Sequence, residues 1–118
     1  MADLIKIAVD AMGGDNSPNK VINGIIHNHK KNKGNFFKIF GDKNKIISLL
    51  KDEIESRYYE IIHTENFVLS TDSPLEAAKK GKDTSMWLAV ESVKKKHCLA
   101  IRLCAYEFLF FGGFIFFF

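Results

Sequence analysis

The sequence predicts an α/β fold, an incomplete parallel-sheet α/β/α sandwich, and three observations lead there. Short apolar runs of strand length alternate with longer segments that are apolar at helical spacing. The segments between the strands are too long for hairpins, so successive strands pair in parallel through right-handed crossovers, with helices covering the sheet. The first apolar run also ends in an acid and a double glycine, Asp10-Ala11-Met12-Gly13-Gly14-Asp15, shortly before Ser17-Pro18. A strand that passes into a helix across such a loop is the kind of strand end at which α/β sheets bind ligands.

The first strand is expected over residues 5–9, where Ile5, Ile7 and Val9 alternate with Lys6 and Ala8. Ser17 is read as the N-cap of the first helix, with Pro18 in its first turn and Val21, Ile22, Ile25 and Ile26 as its buried stripe. The second strand is expected over residues 36–40, closed by Gly41 and Asp42. A helix over about 44–56 then buries Ile46, Ile47, Leu50 and Ile54, and a third strand covers 59–63. After a loop through 66–72, Ser73 and Pro74 repeat the Ser-Pro start and open a short helix that Gly81 ends. A further helix over about 84–96 turns Met86, Ala89, Val90 and Val93 inward, and a fourth strand begins near Leu99.

Composition narrows the function classes. The chain has 118 residues, enough for one domain at most, and its formal net charge of +3 is too small to suggest nucleic acid as a partner. Its lysines are scattered or sit at helix ends, as Lys94, Lys95 and Lys96 do, which describes a solvated face. The two cysteines, Cys98 and Cys104, form neither a disulfide framework nor a zinc set, which fits a reducing, cytoplasmic setting. With Asp3 early and only a short apolar run behind it, the amino terminus does not read as a signal peptide.

The candidate binding groups are Asp10, Gly13, Gly14 and Asp15 in the first loop, and Lys82, Thr84 and Ser85 before the later helix. Gly13 and Gly14 either present amides to a closely approaching ligand or serve a left-handed turn that glycine alone adopts easily. Asp10 and Asp15 would repel a bare anion, so they orient donors or cap the next helix; two acids alone make a poor metal site. Lys82, Thr84 and Ser85 suit a phosphate, while Asp83 or Thr84 serves equally as a helix cap. Gly81-Lys82-Asp83-Thr84 is not a nucleotide P-loop, because Glu76 stands where that loop needs its first glycine. The first loop also lacks dinucleotide GxGxxG spacing. His27, His29, His63 and His97 read as surface or strand-end residues, and Trp87 and the tyrosines as packing groups.

The order Asp10, Met12, Gly13, Gly14, Asp15, then Ser17 and Pro18, resembles the amino terminus of the bacterial phosphate acyltransferases. Phe40-Gly41-Asp42, Ile61-Ile62-His63, the run from Asp72 to Ala78 and the stretch from Lys79 to Met86 follow in the order of that family's motifs, as does Ala89-Val90-Glu91-Ser92-Val93-Lys94. The resemblance covers residues 5 to about 101. It implies the amino-terminal portion of an isopropylmalate-dehydrogenase-like fold. It also implies acyl transfer from acyl carrier protein to inorganic phosphate in phospholipid synthesis, by a homodimer that touches the inner membrane surface and needs no cofactor. Phosphate is already anionic, so such a reaction calls for a cradle and oxyanion donors rather than a Ser-His-Asp triad.

Beyond Ile101 the family's glycine-rich Ser-Ala-Gly-Asn-Thr-Gly-Ala loop does not follow. Residues 102–118 instead hold seven of the eleven phenylalanines and a single charge after Arg102, Glu107, with no legible helical or strand period. Residues 1–101 are therefore expected to be the family's α/β part, and 102–118 an aberrant tail left by a disrupted reading frame. Its sixteen residues from Leu103 fall short of the ~20 that cross a bilayer. An inactive truncated acyltransferase is the expected product. A non-catalytic α/β fragment or a small membrane-attached binding module is the alternative.

Overall fold

A computed structural model of the chain describes residues 4–14, 16–69, 71–103, 108–111 and 114–117. Four strands pair in parallel in the order β3-β2-β1-β4: β1 (Ile5–Asp10), β2 (Asn35–Gly41), β3 (Tyr59–His63) and β4 (Ala100–Leu103). Helices α1 (Asn19–Lys31) and α2 (Lys43–Leu50) follow the first two strands. A short helix α3 (Pro74–Lys79) and α4 (Ser85–Lys94) lie between β3 and β4. The α/β class and its parallel sheet are as the sequence indicates.

The strand period sorts residues between two cores. Val9, Phe37 and Ile39 join Ile22, Ile25 and Ile26 of α1 and Ile46 and Leu50 of α2 on one face. Ala8, Phe40 and Ile101 meet Ala89 and Val93 of α4 on the other, with Ile62, Met86 and Leu88 at the margin. The sheet thus lies between helix layers, the α/β/α arrangement.

Several boundaries differ from expectation. Helix α1 starts at Asn19, not Ser17; Pro18 occupies the cap position and supplies no side-chain bond. A turn with Asn16 at φ 59° takes up the preceding residues, bonded from Ser17 N to Gly14 O at 3.2 Å. Helix α2 stops at Leu50 because Lys51 and Asp52 adopt left-handed backbone at φ 49° and 58°. Ile54 is still buried, from the segment beyond the helix, whereas Ile47 is 49% exposed. Val90 of α4 is also largely exposed, at 42%, while Ala89 and Val93 carry the packing. His29 is buried against Tyr58, ring centroids 4.6 Å apart, and is not a surface residue. Its place on α1, one turn after the buried Ile25 and Ile26, puts it on the core stripe.

The Phe-rich segment, in which no strand period is legible, adds two antiparallel strands beyond β4: β5 (Phe108–Phe111) and β6 (Phe114–Phe117). Aromatic residues favour extended backbone even without alternation. Among the described residues, no helix is long and apolar enough to cross a membrane.

Candidate functional site

The order β3-β2-β1-β4 fixes where a ligand crevice lies. From β1 the chain moves outward to β2 and β3, then returns to place β4 on the opposite side of β1. The connections therefore diverge above β1 and β4, the switch point at which open α/β sheets bind ligands beyond the carboxyl ends of their strands. Asp10, the last residue of β1, stands there, and the glycine loop begins directly after it.

Asp10 is fully buried. One carboxylate oxygen, Oδ1, accepts from the Met12 amide at 3.0 Å, an Asx-type bond that folds the loop back on the strand end. Burial pushes its pKa up from 3.8 to about 7, against smaller opposing effects of the Ser85 hydroxyl and the Met12 amide. Neither Asp10 Oδ2 nor Ser85 Oγ completes a well-formed hydrogen bond, although both are sealed from solvent. The two groups face one another at a distance that still lets Ser85 favour the ionised carboxylate.

Ser85 reaches this place because α4 begins with it. Thr84, 1% exposed, caps the helix by accepting from the Trp87 amide at 3.2 Å. The Ser85 amide donates to the Asn66 carbonyl at 2.9 Å. Of the two cap candidates, Asp83 and Thr84, the hydroxyl does the capping. The Asp83 carboxylate instead accepts from Asn66 Nδ2 at 2.6 Å.

The remaining candidates separate. Gly13 sits at φ 91°, so its turn requires glycine for conformation. Gly14 is half-buried in the same loop and lends its carbonyl to Ser17. Lys82 is exposed, its ammonium 5.8 Å from the centre of the Trp87 ring. Asp15 lies outside the described residues. The structure thus brings Asp10, the glycine loop and Ser85 together and leaves Lys82 on the outer side of the α4 turn.

Two residues that the sequence reading passed over hold this region. Thr64, just after β3, donates its hydroxyl to the Asp83 carbonyl at 2.5 Å and its amide to the Gly41 carbonyl at 3.0 Å. Asn66 receives Ser85 and grips Asp83. Their signal was positional: both are polar residues immediately beyond a strand end, as Asp10 is at the end of β1. Further along, Asp72 accepts from the Leu69 amide and from Lys80 Nζ, and these bonds hold its carboxyl below the usual range. Ser73 and Glu76 form a reciprocal capping box at 3.0 and 3.2 Å that starts α3.

The family model described as fatty acid synthesis protein matches residues 5–102. Among curated proteins, the phosphate acyltransferase of Pelagibacter ubique is 58% identical over 96 residues, covering 81% of this chain and 28% of its own length. The phosphate acyltransferase of Ehrlichia canis is 39% identical over 95 residues, 77% of this chain and 28% of its own. That of Oenococcus oeni is 38% identical over 88 residues, 75% of this chain and 25% of its own. The chain therefore spans about a quarter of the length of these relatives.

Proposed function

The chain belongs to the fatty acid synthesis protein family, and from that premise we propose that it carries the β1 side of a phosphate acyltransferase site. In the reaction a phosphate oxygen attacks the thioester carbonyl of an acyl group on acyl carrier protein. A carbon–oxygen bond forms, the carbon–sulfur bond breaks, and the proton of hydrogen phosphate ends on the departing thiol. The products are acyl phosphate, for phospholipid synthesis, and free carrier protein.

The observation that carries this reading is the position of the Asp10-to-Gly14 loop at the switch point, beside the first turn of α4. Glycine backbone approaches an anion closely, and the helix start adds a positive dipole end. Asp10 does not oppose an anion there as a full charge, because burial keeps it largely protonated below about pH 7.

The reading makes this chain one wall of the crevice. The opposite wall follows β4, where the family match stops at residue 102 and the sequence continues Leu-Cys-Ala-Tyr-Glu. The chain alone then binds phosphate weakly and does not turn over. The homodimer, the carrier-protein contact and the cytoplasmic, membrane-surface location expected from the resemblance belong to a longer protein. The alternative, a non-catalytic α/β fragment, rests on the same shortfall in length.

The test joins residues 5–101 of this chain to the remainder of the Pelagibacter ubique relative. Acyl phosphate formed from acyl carrier protein and phosphate is trapped with hydroxylamine. The chimaera is expected to be active and the 118-residue chain inactive. A folded but inactive chimaera overturns the reading.

A further inference from the structure

Asp10 and Ser85 are both 0% exposed, and each holds a polar atom without a well-formed partner, the carboxylate Oδ2 and the hydroxyl Oγ. Leaving two such atoms unsatisfied costs free energy that a hydrogen bond between them recovers. They belong to parts of the fold that are otherwise fastened. Asp10 lies in β1, paired with Phe40 of β2 and Leu103 of β4. Ser85 is tied through its amide to Asn66. The segment that depends on them is the loop between, where Met12 hangs on Asp10 Oδ1 and Gly13 supplies the left-handed backbone.

We infer that Asp10 is a positioning residue that joins the glycine loop to the first turn of α4 through the Ser85 hydroxyl, and that charging its buried carboxyl lets the loop open. With the carboxyl neutral, its O–H donates to Ser85 Oγ while its carbonyl oxygen keeps the Met12 amide. Ionised, it is a buried charge for which the Ser85 hydroxyl and the Met12 amide only partly replace solvent, and opening the loop relieves the rest of that cost. The groups that face Asp10 are the Ser85 hydroxyl from α4 and the Met12 amide from its own loop. Among the described side chains no charged group of β2 or α4 acts on it. A carboxyl titrating near 7 when closed and near 3.8 when open makes opening easier by roughly tenfold per pH unit between those values. The inference concerns the joint itself and stands apart from what binds at the loop.

Amide hydrogen exchange on the 118-residue chain tests it, with rates corrected for intrinsic exchange and Ile39 in β2 as the monitor of global unfolding. In the wild type, protection at Met12, Gly13 and Gly14 is expected to fall by about tenfold per unit from pH 5 to 7, then level off, and to stay well below that at Ile39, which exchanges only when the whole fold opens. In Asp10→Asn the loop's dependence disappears. In Ser85→Ala it persists but levels off at higher pH, since the group favouring the ionised carboxylate is gone. Equal loop slopes in wild type and Asp10→Asn overturn the inference. Should Asp10→Asn fail to fold, carbon-13 titration of the wild-type carboxyl decides: a midpoint near 7 supports the joint and one below 5 overturns it.

Discussion

Gly41, at the end of β2, lies so close to Met12 that a Cβ there would stand 2.9 Å from Met12 Cγ and 3.2 Å from its sulfur. The same Cβ would meet Ile46 Cδ1 of α2 at 3.1 Å. Space, not left-handed backbone, therefore demands glycine. Gly41→Ala is expected to destabilise the chain by about 1–3 kcal/mol through overpacking, read from urea unfolding. Met12 Cγ is not the flexible end of its side chain, so relieving the contact takes a change of χ1 or a shift of the loop, and either moves the Met12 and Gly13 amide resonances.

Asp10 gives the fold a pH dependence of known sign. Its folded pKa, about 7, lies above the 3.8 of the unfolded chain, so the folded state holds a proton that the unfolded state has already lost between those values. Its contribution is fully present below pH 3.8 and is lost as pH rises to about 7. At about 1.4 kcal/mol per unit the loss comes to roughly 4–5 kcal/mol. Asp10→Asn is expected to flatten this slope and to be more stable than wild type at neutral pH. A variant less stable at pH 7.5 in chemical denaturation contradicts the assignment.

His29 acts in the opposite direction. Burial, with Lys33 adding to it, lowers its pKa from 6.5, while Glu55 opposes the shift. Stability is complete above pH 6.5 and declines as pH falls, because the unfolded chain takes up a proton that the folded ring resists. His29→Phe keeps a ring against Tyr58 and is expected to lose that part of the acid sensitivity. Melting temperatures of the two proteins between pH 5 and 7 check it.

Thr84→Ala removes the acceptor of the Trp87 amide at the start of α4 and is expected to cost about 1 kcal/mol. Thr84→Ser keeps the hydroxyl and recovers most of it. A urea midpoint unchanged in Thr84→Ala shows that the cap contributes nothing.

The architecture was legible because it rests on periodicity. Val9 and Ile39, or Ile22 and Ile26, reveal their faces through spacing alone. The helix limits were less so. Lys51 and Asp52 carry no breaker signal yet adopt left-handed backbone, and an apolar residue such as Ile54 marks burial without marking helix. Asp10 and Ser85 were readable singly as strand-end and helix-start residues. Their meeting was not, since it arises from α4 crossing the sheet face next to β1, which no local pattern encodes. Thr64 and Asn66 were missed for the same reason: their partners lie some twenty residues away in sequence, and ordinary polar residues announce nothing.

The pairing of Ile7 with Ala100 also governs the order in which the molecule can assemble. A ribosome releases β1 first and β4 only after both intervening strands and all four helices. Through that interval β1, β2 and β3 can gather with α1 and α2, while the other edge of β1 waits for a partner still to be synthesised. Closing so long a loop is entropically slow, and parallel pairing gives no early hairpin to guide it. The seat of Asp10 is thus completed only when β4 arrives, and a nascent chain halted before it would leave β1 as an open sheet edge with the glycine loop at its end, within reach of chaperones and proteases.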